Sequence, residues 1–295
     1  MAQSLEALTR QGQTLASIRG IVRTMKSLAA INAAPYEEAA MAIEAYQATI
    51  RRGFSAFAYR MRSGWQVVGA GAADPSHRIV VAFGSDHGFC GNYNELLAAE
   101  VSRLHARMSA AGRPTGGLQV LCVGARMQAA LEGHGLVVAQ RLLPPASVDG
   151  VARLASEVVA QIERRSRGRP LTQLGVWLAY TRRAGHGMRT PVVSRLLPLP
   201  PALLQAPDRW PSRALPDFTL APAAQLSALV RHHLFASVFR ASAEAMVTEN
   251  AARLALMQQA EQSVDERLAQ LGRELSAVRQ DQITQEIMDI IIAHE

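Results

Sequence analysis

The chain has 295 residues, of which 49% are hydrophobic and 19% charged, with a net charge of +7 at pH 7. This composition predicts a sizeable core plus an extension, and the lack of an apolar run of about 18 residues argues against a membrane-spanning helix. Lys26 is the only lysine, and the arginines are scattered instead of clustered. We therefore expect no nucleic-acid binding, and an acidic protein partner explains the charge as well.

The two cysteines, Cys90 and Cys122, have neither the spacing of a metal knuckle nor a secretory signal before them. We expect reduced thiols and no disulfide. The chain starts with the pattern of a polar amphipathic helix, so we expect any membrane association to go through a partner.

Both ends of the chain have the pattern of long helices. After Pro222 there is no further proline up to Ile292, and Gly272 is the one glycine. The apolar residues of this segment step by four and three, as in a coiled-coil seam. They are Val264, Leu268, Leu271, Leu275 and Val278. At about 1.5 Å per residue, roughly 70 helical residues extend about 105 Å, so this helix needs a partner.

The N-terminal segment carries a matching apolar stripe on the same seven-residue frame. Its members are Leu8, Leu15, Ile18, Val22, Met25 and Ala29, and we expect polar Gln13, Arg19 and Arg23 to face away. The order of the two segments along the chain predicts an antiparallel pair. Near the C-terminus Ile283, Ile287, Ile290 and Ile291 shift phase, so we expect that tip to be buried in something else.

Between the two helices, short apolar runs alternate with amphipathic segments, which predicts an inserted α/β domain with a mostly parallel sheet. Strands are predicted at 77–83, 118–123, 136–142, 174–181 and 191–197, and helices at 95–110, 125–132 and 148–165. Asn94 is the expected N-cap of the first of these helices. The fold class is therefore α/β, with an antiparallel coiled coil of long terminal helices.

These elements divide the chain into four parts. Residues 1–62 form the N-terminal coiled-coil helix, 76–200 the inserted domain, 201–222 a proline-rich linker and 223–295 the C-terminal helix. A loop is expected from Gly64 to Pro75. The segment from Leu197 to Pro222 has seven prolines, so we expect it to be irregular and to run over a surface.

Two patterns resemble active or metal sites. Ser85–Gly91 (SDHGFCG) places serine, aspartate, histidine and cysteine after a strand, where α/β active sites commonly lie. Adjacent side chains diverge, whereas a nucleophile and its base must converge to about 3 Å, so we do not expect catalysis here. The glycines indicate a tight turn instead. His232 and His233 are neighbours on a helix and face different directions, so we expect one in the seam and one exposed.

Five sequence blocks stand out in chain order. They are Val22–Lys26 (VRTMK), Ser85–Asn94 (SDHGFCGNYN), Ser194–Pro200 (SRLLPLP), Glu249–Leu254 (ENAARL) and Arg279–Ile287 (RQDQITQEI). Together they resemble the γ subunit of F-type ATP synthases, in which TKAMK, SDRGLCGGxN, SExAARM and RQxxITQEL are similar motifs. The resemblance spans nearly the whole chain.

The resemblance implies a central-stalk rotor that mechanically couples ion flow through a membrane c-ring to ATP synthesis or hydrolysis at β subunits. Implied partners are the α and β subunits, the ε subunit and the c-ring, at the cytoplasmic face of a bacterial inner membrane. It implies no catalytic residue and no cofactor or metal in this chain, which would be the non-catalytic subunit of an H⁺- or Na⁺-transporting ATPase.

The resemblance also implies site residues. Arg279, Gln280, Thr284 and Glu286 would contact β loops near the tip, Arg253 would support the pair, and Met25 and Lys26 would face an acidic lever of β. The family's signature loop corresponds to Ser85, Asp86, His87, Gly88, Cys90, Gly91 and Asn94.

Some positions depart from the family pattern. His87 replaces an arginine, Asn92-Tyr93 replaces a glycine pair, and Pro35 lies inside the first helix, where a kink or a shortened segment is expected. These departures, with the VRTMK block, resemble the divergent bacterial paralogue called N-ATPase. The alternative from another class is a free-standing α/β nucleotide-binding protein with a coiled-coil dimerisation helix.

Overall fold

The computed structural model describes residues 2–61, 75, 77–110, 118–166, 173–184, 188–214 and 216–293. Over these residues the helices are α1 (Ala2–Arg60), α2 (Tyr93–Ala110), α3 (Ala125–Gly133), α4 (Val148–Ser166) and α5 (Pro222–Ile292). The strands are β1 (His77–Phe83), β2 (Leu118–Val123), β3 (Val138–Leu142), β4 (Leu174–Arg183) and β5 (Arg189–Leu197). The chain divides into two compact units. Residues 1–31 and 251–295 form the helix pair, and residues 32–250 form the α/β unit.

The helix pair is antiparallel. Gly12 lies against Leu271, where an added Cβ would meet Leu271 Cδ2 at 3.2 Å. Further along α1, Arg23 contacts Glu261, so positions rise on one helix as they fall on the other. The seam residues of α5 are its less exposed positions, with Leu271 1% exposed. An apolar stripe buried on two long helices stabilises both far more than helix propensity does.

The predicted seam of α1 is correct at most positions and wrong at one. Val22 and Ala29 are buried, and Leu8, Leu15 and Met25 are half-buried. Ile18 is 40% exposed instead. Gln13 and Arg23 are exposed as predicted, whereas Arg19 is half-buried, and both arginines reach across to carboxylates of α5. Flanking cations at the edge of a seam face the partner helix, as e and g positions do in coiled coils.

The sheet of the α/β unit has the strand order β3-β2-β1-β4-β5. Neighbouring strands are parallel from β3 to β4, and β5 pairs antiparallel with β4. This confirms the predicted mostly parallel sheet. The two residues Ala179 and Val193 face each other in the antiparallel pair.

Both faces of the sheet are covered, which explains the unbroken apolar run of β1. Ile79, Val81 and Phe83 point to one core, and Val80 and Ala82 point to the other, as the two-residue period of a strand requires. Helices α2 and α3 cover the face of Val80 through Leu97, Val101, Met127 and Leu131. The opposite face packs on α4 and on the parts of α1 and α5 that belong to this unit, with Phe54, Val158, Leu234 and Val238.

The proline-rich linker is more ordered than predicted. It contains a short 3₁₀ helix, Pro201–Leu204, and is otherwise irregular over its described residues, as predicted. Phe218 stacks on Phe57 of α1 with ring centroids 5.5 Å apart. The ring centroids of Trp210 and Tyr59 are 5.6 Å apart. Aromatic contacts of this kind hold an irregular segment against a helix.

Helix α1 runs through Pro35 without a break, so the expected shortening there is wrong. Proline removes one backbone donor, and the helix continues on either side. Strand β3 begins at Val138 instead of Leu136. The predicted loop Gly64–Pro75 lies outside the described residues except for Pro75, which is buried. In the described part of the chain, no helix has the length and hydropathy needed to cross a bilayer.

Candidate functional site: the signature loop and the helix-pair surface

The signature loop, Ser85–Asn94, follows β1 at the carboxyl end of the parallel strands. Ser85 N donates to Asn94 Oδ1 at 2.9 Å, and Asn94 Nδ2 donates to Ser85 Oγ at 2.8 Å. Asn94 is therefore not the helix cap expected from the sequence. It lies inside α2, which begins at Tyr93, and its amide closes the loop instead. Ser85 Oγ in turn donates to His87 O at 2.9 Å.

The loop also holds the start of α3. Asp86 Oδ1 accepts from Ala125 N at 2.9 Å, and Ser85 O accepts from Arg126 N at 3.1 Å. A carboxylate and a carbonyl thus satisfy donors that a helix N-terminus otherwise leaves unpaired. Gly124 makes this approach possible, because its φ is +99° and an added Cβ would lie 2.4 Å from Ser85 O. The Ser85 and Asp86 side chains therefore have structural tasks.

Two residues of the loop adopt the left-handed region, Phe89 at φ 61° and Gly91 at φ 63°. Cys90 is buried with its Sγ 3.4 Å from Ser85 Oγ, whereas the Phe89 ring is 61% exposed and His87 is exposed. This supports the interpretation of the glycines as part of a tight turn. Cys90 and Cys122 are both free thiols.

One contact of the loop was not expected from the sequence. Tyr93 Oη donates to Ala245 O of α5 at 2.9 Å and lies 3.1 Å from Thr248 Oγ1, which also bonds Thr181 O of β4 at 3.0 Å. Burial raises the pKa of Tyr93, so the phenol stays a neutral donor. A buried phenol needs a polar partner, but the sequence does not indicate which one.

The surface of the helix pair carries a compact ion cluster. Glu261 accepts from Arg23 Nε at 2.7 Å and from Lys26 Nζ at 2.5 Å, and Arg19 Nε lies 2.7 Å from Asp265 Oδ1. Hydrogen bonds from Lys26 and Arg23 lower the pKa of Glu261, and the bond to Glu261 raises the pKa of Arg23. Lys26, predicted to face an acidic partner, thus already has a carboxylate partner in its own chain.

The other predicted contact residues lie along the helix pair. Met25, Lys26 and Arg253 are half-buried. Arg279, Gln280, Thr284 and Glu286 are exposed, and Thr284 Oγ1 donates within its own helix to Gln280 O at 2.9 Å. The apolar side chains around them are also exposed, each by 52% to 65%. They are Ile283, Ile287, Met288, Ile290, Ile291 and Ile292.

The two histidines of α5 differ as predicted. His233 is half-buried with its ring edge-on to Phe54 at 6.0 Å, and burial lowers its pKa to about 4. His232 is exposed, and its Nδ1 lies 2.7 Å from Tyr46 Oη. Among the residues that the structure describes, no group of three or more His, Cys, Asp or Glu side chains is arranged to hold a metal ion.

Comparisons with known proteins point in one direction. The family model described as ATP synthase matches residues 4–295. The ATP synthase gamma chain of Syntrophus aciditrophicus is 28% identical over 75% of this chain and 74% of its own length. That of Anaeromyxobacter sp. is 26% identical over 99% of this chain and 98% of its own length.

Solved structures share the fold. The rotor of the Euglena gracilis mitochondrial ATP synthase aligns with a TM-score of 0.59 at 13% identity, covering 96% of this chain and all of that chain. The central stalk of the Tetrahymena thermophila mitochondrial ATP synthase aligns with a TM-score of 0.55 at 17% identity. This alignment covers 81% of this chain and 99% of that chain.

A pair of terminal helices and an inserted α/β unit form the fold that this chain shares with those central-stalk and rotor chains. The chain belongs to the ATP synthase family, as a gamma chain. It is therefore a non-catalytic rotor subunit, and the alternative of a free-standing nucleotide-binding protein is set aside.

Proposed function

We propose that this chain turns inside a ring of α and β subunits, and that its α/β unit binds the ε subunit and the membrane c-ring. Rotation driven by ion flow would then move each β subunit through its nucleotide-binding states, or ATP hydrolysis would drive the reverse. A rotor can shift nucleotide affinity only if each β state makes different contacts with it. The surface that makes these contacts is therefore the functional site.

The exposed tip of α5 is the observation that carries the proposal. Six large apolar side chains between Ile283 and Ile292 are more than half exposed. Apolar area in water costs about 25 cal/mol per Å², and monomeric proteins rarely leave such a continuous patch uncovered. A sleeve formed by the α and β subunits would cover this tip.

Four polar residues of the tip are proposed contacts of β loops. Arg279, Gln280, Thr284 and Glu286 are all exposed on α5, which leaves their side chains available to a surrounding ring. Exposed charges of this kind contribute little by themselves, about 0–1 kcal/mol per pair, and more when a partner excludes water from them.

A second proposed contact region contains Met25, Lys26 and Arg253, all half-buried. Lys26 donates to Glu261, so a carboxylate on β would have to share this cation with Glu261 or displace it. Such a shared cation favours a contact that forms and breaks over one that persists. We propose that this region meets the acidic lever of β in some rotary states only.

The subtype and location follow the same resemblance. We infer the N-ATPase-type paralogue from the VRTMK block and from the substitutions at His87 and Asn92-Tyr93. A complex of this kind would place the chain at the cytoplasmic face of a bacterial inner membrane, held there through the c-ring. The coupling ion would be selected in the membrane ring.

The test uses the assembled complex with a double substitution, Arg279→Ala with Gln280→Ala. We expect ATP turnover to fall about fivefold or more, the factor for loss of about 1 kcal/mol of contact free energy. Arg273→Ala is the matched control, because Arg273 is exposed on the same helix and outside the motif. Co-purification of α, β, ε and c subunits shows that the complex is intact.

Unchanged turnover in an intact double variant would refute the proposed contacts at the tip. A tagged chain that elutes alone or as a homodimer from its own cell membranes would refute the rotor function itself.

A further inference from the structure

A buried phenol ties α5 to the sheet of the α/β unit. Tyr93 is 5% exposed, and its hydroxyl contacts Ala245 O at 2.9 Å and Thr248 Oγ1 at 3.1 Å. Thr248 is fully buried, and its hydroxyl lies 3.0 Å from Thr181 O, at the end of β4, and 2.9 Å from Glu244 O within α5. One connected group of hydrogen bonds thus joins the signature loop, α5 and β4.

Small side chains make up much of the helix surface around this contact, beside the buried Val247. Ala241, Ala243 and Ala245 are each buried, and Ser242 lies between them at 1% exposure. Small residues allow a close approach of helix and sheet but provide few interlocking side chains. Apolar contact is also non-directional, so it resists sliding or rotation of the helix only weakly. Directional hydrogen bonds from Tyr93 and Thr248 add to the apolar packing of α5 and restrict its rotation here.

The first helix has a comparable anchor in the same unit. Tyr36 Oη donates to Pro145 O at 3.1 Å, in the segment before α4, and burial raises the pKa of Tyr36. Glu37, the next residue, forms an ion pair with Arg183 at the end of β4. Both long helices are therefore bound to the sheet domain through a tyrosine hydroxyl and a backbone carbonyl.

We propose that Tyr93 and Thr248 are positioning residues that carry torque between the α/β unit and α5. The inference rests on the proposed rotor function. Helix α5 continues without a break to Ile292, so a rotation imposed on residues 245–248 is imposed on the same helix that bears the contact tip. If these bonds are lost, the helix yields under load and ion movement and ATP turnover lose their fixed ratio.

The experiment compares Tyr93→Phe and Thr248→Val with the wild type in the assembled complex in membrane vesicles. Tyr93→Phe removes the phenol oxygen, and Thr248→Val replaces the hydroxyl with a methyl group of similar size. ATP hydrolysis is measured beside ATP-driven membrane potential, read with a potential-sensitive dye because such a dye reports either H⁺ or Na⁺ transport. We expect unchanged hydrolysis without a gradient and a lower potential per ATP hydrolysed.

Two further variants control the experiment. Tyr46→Phe removes a phenol that bonds His232 and does not reach the sheet, so the potential per ATP should stay at the wild-type value. Thr248→Ser keeps the hydroxyl that Thr248→Val removes, so its potential per ATP hydrolysed should stay at the wild-type value. Hydrogen exchange of the amides at 244–248 should accelerate about fivefold in Tyr93→Phe, the factor for one ordinary hydrogen bond.

The outcomes separate the two proposals. Wild-type vesicles that hydrolyse ATP with this chain bound but build no potential would refute the rotor function. The torque role alone would be refuted by a different result. In that case the wild-type vesicles are coupled, and Tyr93→Phe, Thr248→Val and Tyr46→Phe all keep the wild-type potential per ATP hydrolysed. A lower yield of complex with an unchanged ratio would also refute it, because it would make Tyr93 a residue needed only for folding.

Discussion

Lys26 on α1 and Glu261 on α5 form an ion pair in which Nζ lies 2.5 Å from Oε2. Arg23 uses the other oxygen of the same carboxylate, at 2.7 Å. One carboxylate therefore accepts from two cations of the facing helix, which leaves the three groups with a net charge of +1. This pairing joins residues that are 235 positions apart in sequence and helps to define the register of the two helices.

We predict that Glu261→Gln lowers the thermal stability of the helix pair at low salt. The pKa of Glu261 is lowered in the folded state, so its contribution is present above about pH 4.5, its ordinary value, and is lost as pH falls through the folded value. Circular dichroism melts at low and high salt measure this. The control is Glu266→Gln, whose carboxylate bonds Gln262 within α5. Equal losses in both variants, or a loss that high salt does not reduce, would contradict the prediction.

Gly124→Ala is expected to destabilise the α/β unit by roughly 2–4 kcal/mol. The backbone there has φ +99°, and the new Cβ would lie 2.4 Å from Ser85 O. Denaturant unfolding followed by tryptophan fluorescence measures the change. Gly133→Ala is the matched control, since a Cβ at Gly133 meets nothing within 4 Å and should change stability little. Similar midpoints for the two variants would show that the Ser85 contact relaxes at no cost.

His233 should make the α/β unit less stable in mild acid. Its pKa falls from 6.5 to about 4 on burial, so the unfolded chain binds a proton first. Stability from this residue is complete above pH 6.5, declines by about 1.4 kcal/mol per pH unit below that, and is fully lost below about pH 4. His233→Phe should flatten this part of the unfolding free energy against pH, while His232→Phe at the exposed neighbour should not. Parallel pH profiles for the wild type and His233→Phe would contradict the assignment.

Cys122 should not react with alkylating reagents in the native protein. The side chain is fully buried in β2, and burial raises its pKa to about 12, so almost no thiolate exists at pH 8. Mass spectrometry after brief iodoacetamide treatment measures the modification. Treatment in concentrated guanidinium chloride should modify Cys122 fully and serves as the control. Rapid native modification of Cys122 would show that β2 opens easily.

Local sequence patterns predicted most of the elements for a physical reason. The apolar run at Ile79–Phe83 is long enough for a strand covered on both faces, and the structure shows it in that state. Proline and glycine placement located the start of α5 and its length. These patterns depend on residues that are close in sequence, so they can be recognised without knowledge of the tertiary fold.

The failed and missing predictions involve distant partners. Ile18 is 40% exposed, although it was predicted in the seam, and the Arg19 side chain, predicted to face away, contacts Asp265 of the facing helix. Asn94 has the chemistry of a helix cap, yet its amide bonds Ser85 across the loop. The link from Tyr93 to Thr248 spans 155 residues, and no local pattern indicates such a pair. Site residues at the tip were proposed from motif resemblance, since exposure alone does not distinguish a contact from a solvated surface.

The antiparallel helix pair has a consequence for synthesis of the chain. Arg23 and Glu261 are separated by 238 positions, and a ribosome adds about 5–20 residues per second. The first thirty or so residues therefore emerge roughly 10 to 50 s before the segment that pairs with them. During that interval their apolar stripe is exposed while the α/β unit is made, so the nascent N-terminus is the part of this chain that a chaperone would be needed to shield.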